Sequence, residues 1–235
     1  MGRALAELGK RVLLIEGDPL GFSSLLGIRE GLVGSIIKGT SASVLSLNFG
    51  SESMDVIKLF SEDFYSNYEF VRLVTDKELV DRFKEVYSRY TSKDYDVYVF
   101  DAPRFGLKDV VEVERRIFHS CHPEERDKVV VVKDYVSPLH EVVPLIRSSI
   151  EPRYGELYGL VINMVPANDV SKAVDELNKA VKDLGFTIGV VVYFSDKYFK
   201  LTNPLDAEVP RQLREMASKV FSNEKVYYIL SFSVI

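Results

Sequence analysis

Arg3-Ala4-Leu5-Ala6-Glu7-Leu8-Gly9-Lys10-Arg11-Val12-Leu13-Leu14-Ile15-Glu16-Gly17-Asp18-Pro19 is the stretch whose reading decides the fold. Its first part has the composition of a helix end, and Gly9 is a helix stop. Residues 11–15 then form a short apolar run, as expected of a strand covered on both faces, and an acidic loop follows. Runs of the same kind recur at residues 97–100, 129–132, 157–162 and 188–192, with a last strand expected at 226–230. Helical patterns fall between them. Thr75-Asp76-Lys77-Glu78 reads as a capping box ahead of Leu79, Phe83, Val86, Tyr87 and Tyr90. Ser137-Pro138 opens a helix towards residue 150. Another starts at Asp169 or Ser171, carries Val174, Leu177, Ala180, Val181 and Leu184 on one face, and stops at Gly185; a further one spans about 210–221. Between residues 31 and 68 the pattern is weaker, with a short helix at 32–38 and a strand at 44–47; a strand at 70–74 follows. Strands alternating with helices predict an α/β domain with a doubly wound, mostly parallel sheet and helices on both faces, residues 1–235 forming a single domain.

Composition fits that class and narrows the setting. The chain has 235 residues, 46% hydrophobic and 28% charged, which is globular and not disordered. No apolar run is as long as a membrane span, and no basic region plus apolar core follows Met1. A single cysteine fits a reducing, cytoplasmic interior. A net charge of −5 argues against broad electrostatic wrapping of nucleic acid. One glutamine, no tryptophan and many Lys and Glu suggest a thermophile.

Open parallel sheets bind ligands beyond the carboxyl ends of their strands. Three segments offer chemistry there. Glu16-Gly17-Asp18-Pro19-Leu20-Gly21 follows the first strand, although a strand-to-turn junction favours Asp, Pro and Gly in any case. Asp101-Ala102-Pro103 ends the strand at 97–100, and Asn163 ends the strand at 157–162. Val192-Tyr193-Phe194-Ser195-Asp196 lies at a fourth strand end. Two motifs are decoys. Gly34-Ser35-Ile36-Ile37-Lys38-Gly39-Thr40-Ser41 puts threonine where a phosphate loop needs lysine and has no strand before it. His119-Ser120-Cys121-His122 lacks a second ligand pair at zinc spacing and reads as a polar loop before Pro123.

In order and spacing these segments resemble the ParA/MinD-like group of P-loop ATPases, over most of the chain from Arg3 to Phe221. The resemblance implies that residues 16–21 are a first switch, in which Asp18 orients water. Glu16 and Leu20 depart from the usual D-x-D-P-Q-G. It implies that Asp101 is a Walker B carboxylate holding Mg²⁺, with Ala102 and Arg104 as departures. Asn163 would read adenine, and Tyr193 and Phe194 would lie in the segment closing over the base. ATP and Mg²⁺ are the implied cofactors, and a homodimer acting on a DNA-bound or protein partner is the implied assembly.

The family's lysine-bearing phosphate loop would come directly before Arg3, and no such loop occurs in residues 1–235. The expectation is therefore of a P-loop-like fold lacking its first strand and loop, catalytically inactive as it stands, with Met1 internal to a longer reading frame. That strand is central in the family, beside the Walker B strand. Its loss would orphan backbone groups at roughly 1–3 kcal/mol each unless the neighbours close up and pair directly.

Overall fold

In the computed structural model, described for residues 1–49, 52–62, 65–102, 108–125, 127–139, 155–201, 203–220 and 227–234, one eight-stranded sheet organises the chain. Its strands are β1 (Val12–Glu16), β2 (Val44–Phe49), β3 (Glu52–Lys58), β4 (Val97–Ala102), β5 (Asp127–Asp134), β6 (Gly155–Val165), β7 (Ile188–Tyr193) and β8 (Tyr227–Val234). The order across the sheet is β2-β3-β1-β4-β8-β5-β6-β7. Every neighbouring pair is parallel except β2 with β3, an antiparallel pair at one edge. The five runs expected to be parallel are all so.

Helices cover both faces because the strands are apolar on both. Leu13 and Ile15 of β1, with Tyr98 and Phe100 of β4, belong to one buried cluster. That cluster is closed by α3 (Leu32–Lys38), α4 (Tyr65–Thr75), α5 (Lys77–Thr91), α6 (Lys108–Cys121) and α7 (Val170–Leu184). The alternate residues Val12, Val97 and Val99 join a second cluster, covered by α1 (Gly2–Ala6) and α8 (Arg211–Val220). A short helix, α2 (Phe22–Leu25), follows β1.

The strand at the middle of the sheet is the last in sequence. β8 pairs with β4 from Val97↔Tyr227 to Ala102↔Phe232, and with β5 from Asp127↔Tyr228 to Lys133↔Val234. β4 and β5 therefore do not close up on one another; the final strand satisfies the backbone groups of both. The strand expected at 226–230 is present, longer and central.

Other departures have local causes. Residues 70–74 are helical, not a strand: Phe70 and Leu73 are buried while Val71 and Val74 are exposed, a spacing of three that overrides the β-branched composition. The cap of α5 is Asp76, whose Oδ1 accepts from Leu79 N at 3.1 Å; Thr75 is the last residue of α4, and its Oγ1 donates to Val71 O at 2.7 Å. The polar loop expected at residues 119–122 is instead largely the last turn of α6, where His119 Nε2 lies 2.9 Å from Asp127 Oδ1 and His122 stacks on Phe118. Among the described residues no His, Cys, Asp and Glu group is arranged to hold a metal ion. Gly39 is a left-handed C-cap of α3, and a Cβ at Gly34 would lie 2.4 Å from Glu69 Oε1, so both glycines of the near-miss phosphate motif serve helix packing. The helix expected from Ser137 towards residue 150 falls mostly outside the described residues.

Proline at Ile229, which pairs with Val99 and Lys128, removes a ladder donor from the central strand. The partner left unsatisfied is expected to cost roughly 1–3 kcal/mol, a large share of a stability of about 5–15 kcal/mol, and so to lower the midpoint of urea unfolding clearly. Proline at Leu47 on the edge strand β2 is expected to lower the midpoint less in the same measurement.

Candidate functional site

Where β3, β1 and β4 end, their registers place Lys58 beside Glu16 and Glu16 beside Asp101. The three follow the alternation of Met54, Val12 and Val97, so they share the face covered by α1 and α8. Here the chain leaves β1 towards β3 on one side and later returns to β4 on the other, a topological switch of the kind that forms crevices at carboxyl strand ends. Glu16 and Lys58 are buried.

Asp18 follows in the loop after β1. Its Oδ1 accepts from Leu20 N at 2.9 Å and its carbonyl accepts from Gly21 N at 3.1 Å, so it stabilises its own turn. Gly17 N donates to Asp101 O at 2.7 Å, fixing the loop's origin against β4. Glu16 is spent on α2: its carboxylate accepts from Ser23 N at 3.0 and 3.1 Å and from Ser23 Oγ. Lys58 Nζ donates to Pro19 O at 2.6 Å and to Ser24 Oγ, with Glu62 Oε1 at 3.7 Å. Glu16, Asp18 and Asp101 are thus brought to one place, together with a lysine.

Burial dominates the electrostatics. It pushes the Asp101 carboxyl up to about 7, with the negative charges of Glu16 and Asp18 acting in the same direction and the Met1 amine opposing. It pushes the Glu16 carboxyl up against the hydrogen bonds from Ser23 and the charge of Lys58. It pulls the Lys58 ammonium down, against the surrounding Glu62, Glu16 and Asp18. The Met1 amine, at the amino end of α1, is itself buried and lowered, with Asp101 working against that shift.

Asn163, Tyr193 and Phe194 form a separate group on the same sheet edge. From β4 to β6 is three strand steps, roughly 14 Å at ordinary inter-strand spacing. Asn163 Oδ1 accepts from Met164 N at 2.9 Å, and Met164 has φ 60°, a conformation rare outside glycine. Tyr193 and Phe194 are 50% and 47% exposed, and Phe194 N donates to Val165 O at 2.9 Å. Beside them lies a cavity of about 390 Å³, lined by Tyr193, Ser195, Lys197, Glu208, Arg211 and Arg214 among others.

No protein-family model matches this chain, and no curated protein matches it. Among the described residues no helix is long and apolar enough to cross a membrane.

Sequence reasoning missed Lys58, Ser23 and the amino end of α1. The signal for Lys58 was present, a cation inside the apolar run Val56-Ile57-Lys58-Leu59-Phe60. That for Ser23 was not, because α2 is only four residues long.

The raised Asp101 carboxyl sets the sign of a pH effect. A carboxyl titrating higher when folded favours the native state below its unfolded value near 4, and that contribution is lost as pH rises towards about 7. Asp101→Asn is therefore expected to stabilise the protein at pH 8, by at most roughly 4 kcal/mol, and to change little at pH 4. Denaturation midpoints at the two pH values check this. Equal shifts at both would remove burial of the charge as the cause.

Proposed function

We propose that this chain carries a ParA/MinD-like nucleotide-binding domain, whose parent activity is ATP hydrolysis in the positioning or partitioning of DNA or a protein complex. The observation that carries the reading is the approach of Asp18, in the loop after β1, to Asp101 at the carboxyl end of the adjacent parallel strand β4. In this reading Asp101 holds Mg²⁺ through water, consistent with a cation that keeps much of its hydration shell. Asp18 orients the attacking water, and Glu16 fixes the loop that carries it. Asn163 reads the adenine edge, with Tyr193 and Phe194 beside the base. Support for the second group is its place on the same edge and a neighbouring cavity of about 390 Å³, within the range of small-molecule pockets. The position of β8 adds to this: beside β4, it stands where the resemblance puts the strand leading into the phosphate loop, and it runs in the required direction. A cytoplasmic homodimer with a DNA-bound or protein partner belongs to the same reading.

One sequence fact favours a second reading, a non-enzymatic interaction module that keeps the fold. Residues 1–235 contain no lysine-bearing glycine loop to cradle a triphosphate. An arsenical-pump or tail-anchored-protein targeting relative is a weaker alternative, since such proteins need a hydrophobic helical groove.

Isothermal titration separates the readings. Residues 1–235 are expected to show no micromolar Mg-ATP affinity. A form supplied with a phosphate loop ahead of α1 is expected to bind Mg-ATP and hydrolyse it slowly. In that form Asp101→Ala abolishes turnover, while Asp18→Ala impairs turnover more than binding. Absence of binding with the loop present would leave the interaction module as the better reading.

A further inference from the structure

Residues 18–28 form a self-contained unit resting on the sheet edge. Their hydrogen bonds are largely internal: Gly21 N to Asp18 O, Ser24 N to Gly21 O, Leu26 N and Ile28 N to Ser23 O, and Gly27 N to Ser24 O. Little apolar packing holds the unit down. Leu20 and Leu25 are each 68% exposed, and Phe22 is the partly buried side chain that reaches the cluster beneath α1. What grips it from below is two buried charges from adjacent strands. Glu16 of β1 takes Ser23 through its backbone and hydroxyl, and Lys58 of β3 takes Pro19 O and Ser24 Oγ. Gly21 permits the fit, since a Cβ there would lie 2.9 Å from the Glu16 carboxyl carbon.

We propose that Lys58 and Glu16 form a two-point clasp that positions the Asp18 unit beside Asp101, and that the unit swings away as one piece when the clasp is undone. Lys58 is then a positioning residue, acting through the loop. The part of this that gives Asp18 a task rests on the proposed function; the clasp rests on the contacts alone.

The clasp is poised, not locked. The two charges do not meet in a close salt bridge: Lys58 is ion-paired with Glu62, at 3.7 Å. Lys58 spends its protons on a carbonyl and a hydroxyl, and Glu16 spends its oxygens on Ser23. Burial works against both charged forms. Opening rehydrates them, so the closed position is held by groups that gain solvation on release. Leu59 N to Glu16 O at 2.8 Å and Gly17 N to Asp101 O stay with the sheet and mark the hinge.

Native-state hydrogen exchange on residues 1–235 tests this. In the wild type, the amides of Ser23, Ser24 and Leu26 are expected to exchange together, faster than Leu14 and Val99 of the sheet. Lys58→Met keeps the buried stem and removes the donors. It is expected to speed the three loop amides at least tenfold while Leu14 and Val99 keep their rates. A merely structural lysine would move all five together, and that result overturns the proposal, as does unchanged loop exchange. Should Lys58→Met fail to fold, Ser24→Ala removes one receiver of the lysine. Faster loop exchange then supports the clasp and unchanged exchange overturns it. No readout involves nucleotide, so failure of ATP binding in the titrations above leaves the clasp standing, and failure of the clasp leaves the ATP question open.

Discussion

The sheet depends on a strand that arrives last. β8 lies between β4 and β5 and supplies the partners for both, so the two halves of the sheet, β2-β3-β1-β4 and β5-β6-β7, meet only through it. Pairing residues 97–102 with 227–232 closes a loop of just over half of the chain. The closure entropy grows slowly with length, but it is due before the contact rewards it, which makes such a topology slow to form. It also makes the sheet strongly cooperative, because neither half has its ladder complete alone. The apolar cluster beneath α3 to α7 draws on strands from both halves, Leu13 and Phe100 on one side, Val131 and Leu160 on the other. Packing on the faces and pairing at the centre therefore demand the same arrangement.

The charged row follows from that frame. Parallel strands in register end at one level, so the last outward-alternating residues of β3, β1 and β4 lie side by side, and here they are Lys58, Glu16 and Asp101. The helices that bury the apolar residues below also limit water above, and each of the three charges is held away from its preferred state by that burial. Charges at strand ends, with perturbed protonation and a switch in topology, mark a candidate functional site.

How much of this was legible in the sequence varied with the range of the interaction. Short apolar runs bounded by turns gave five parallel strands correctly, because a strand buried on both faces needs no partner to be recognised. Gly185 as a helix stop was equally local, and it does sit in the left-handed conformation. Residues 70–74 misled because valine and phenylalanine favour strands, whereas the decisive fact was which of them meet the core. The helix α6 was obscured by the His119 and Cys121 pattern, although Val110, Val111, Val113, Ile117 and Phe118 make a helical stripe. Asp18 and Asp101 were readable as strand-end residues, and their adjacency was expected only from the order of these segments in the resembled family. The central place of β8 was not, since a strand's neighbours are set by the whole sheet and leave no mark in its own residues. Lys58 stood out as a cation inside an apolar run, but its partners Pro19 and Ser24 lie in the loop after a neighbouring strand, which that run does not show.

Asp101 joins the frame to the chemistry. Its Cα pairs with Ser231 of the central strand on one side and Glu16 on the other, and its carbonyl anchors the loop that bears Asp18. Ionising that carboxyl places an ill-solvated charge on the strand whose pairing with β8 holds the sheet together. A cation or donor that binds the ionised form relieves the penalty only in the native state, and by linkage the binding free energy becomes folding stability. In the absence of a ligand the fold thus carries a poorly solvated carboxyl where its strand order, the loop bearing Asp18 and its strand-end charges converge. A ligand that satisfies Asp101 would tighten the centre of the sheet as it binds.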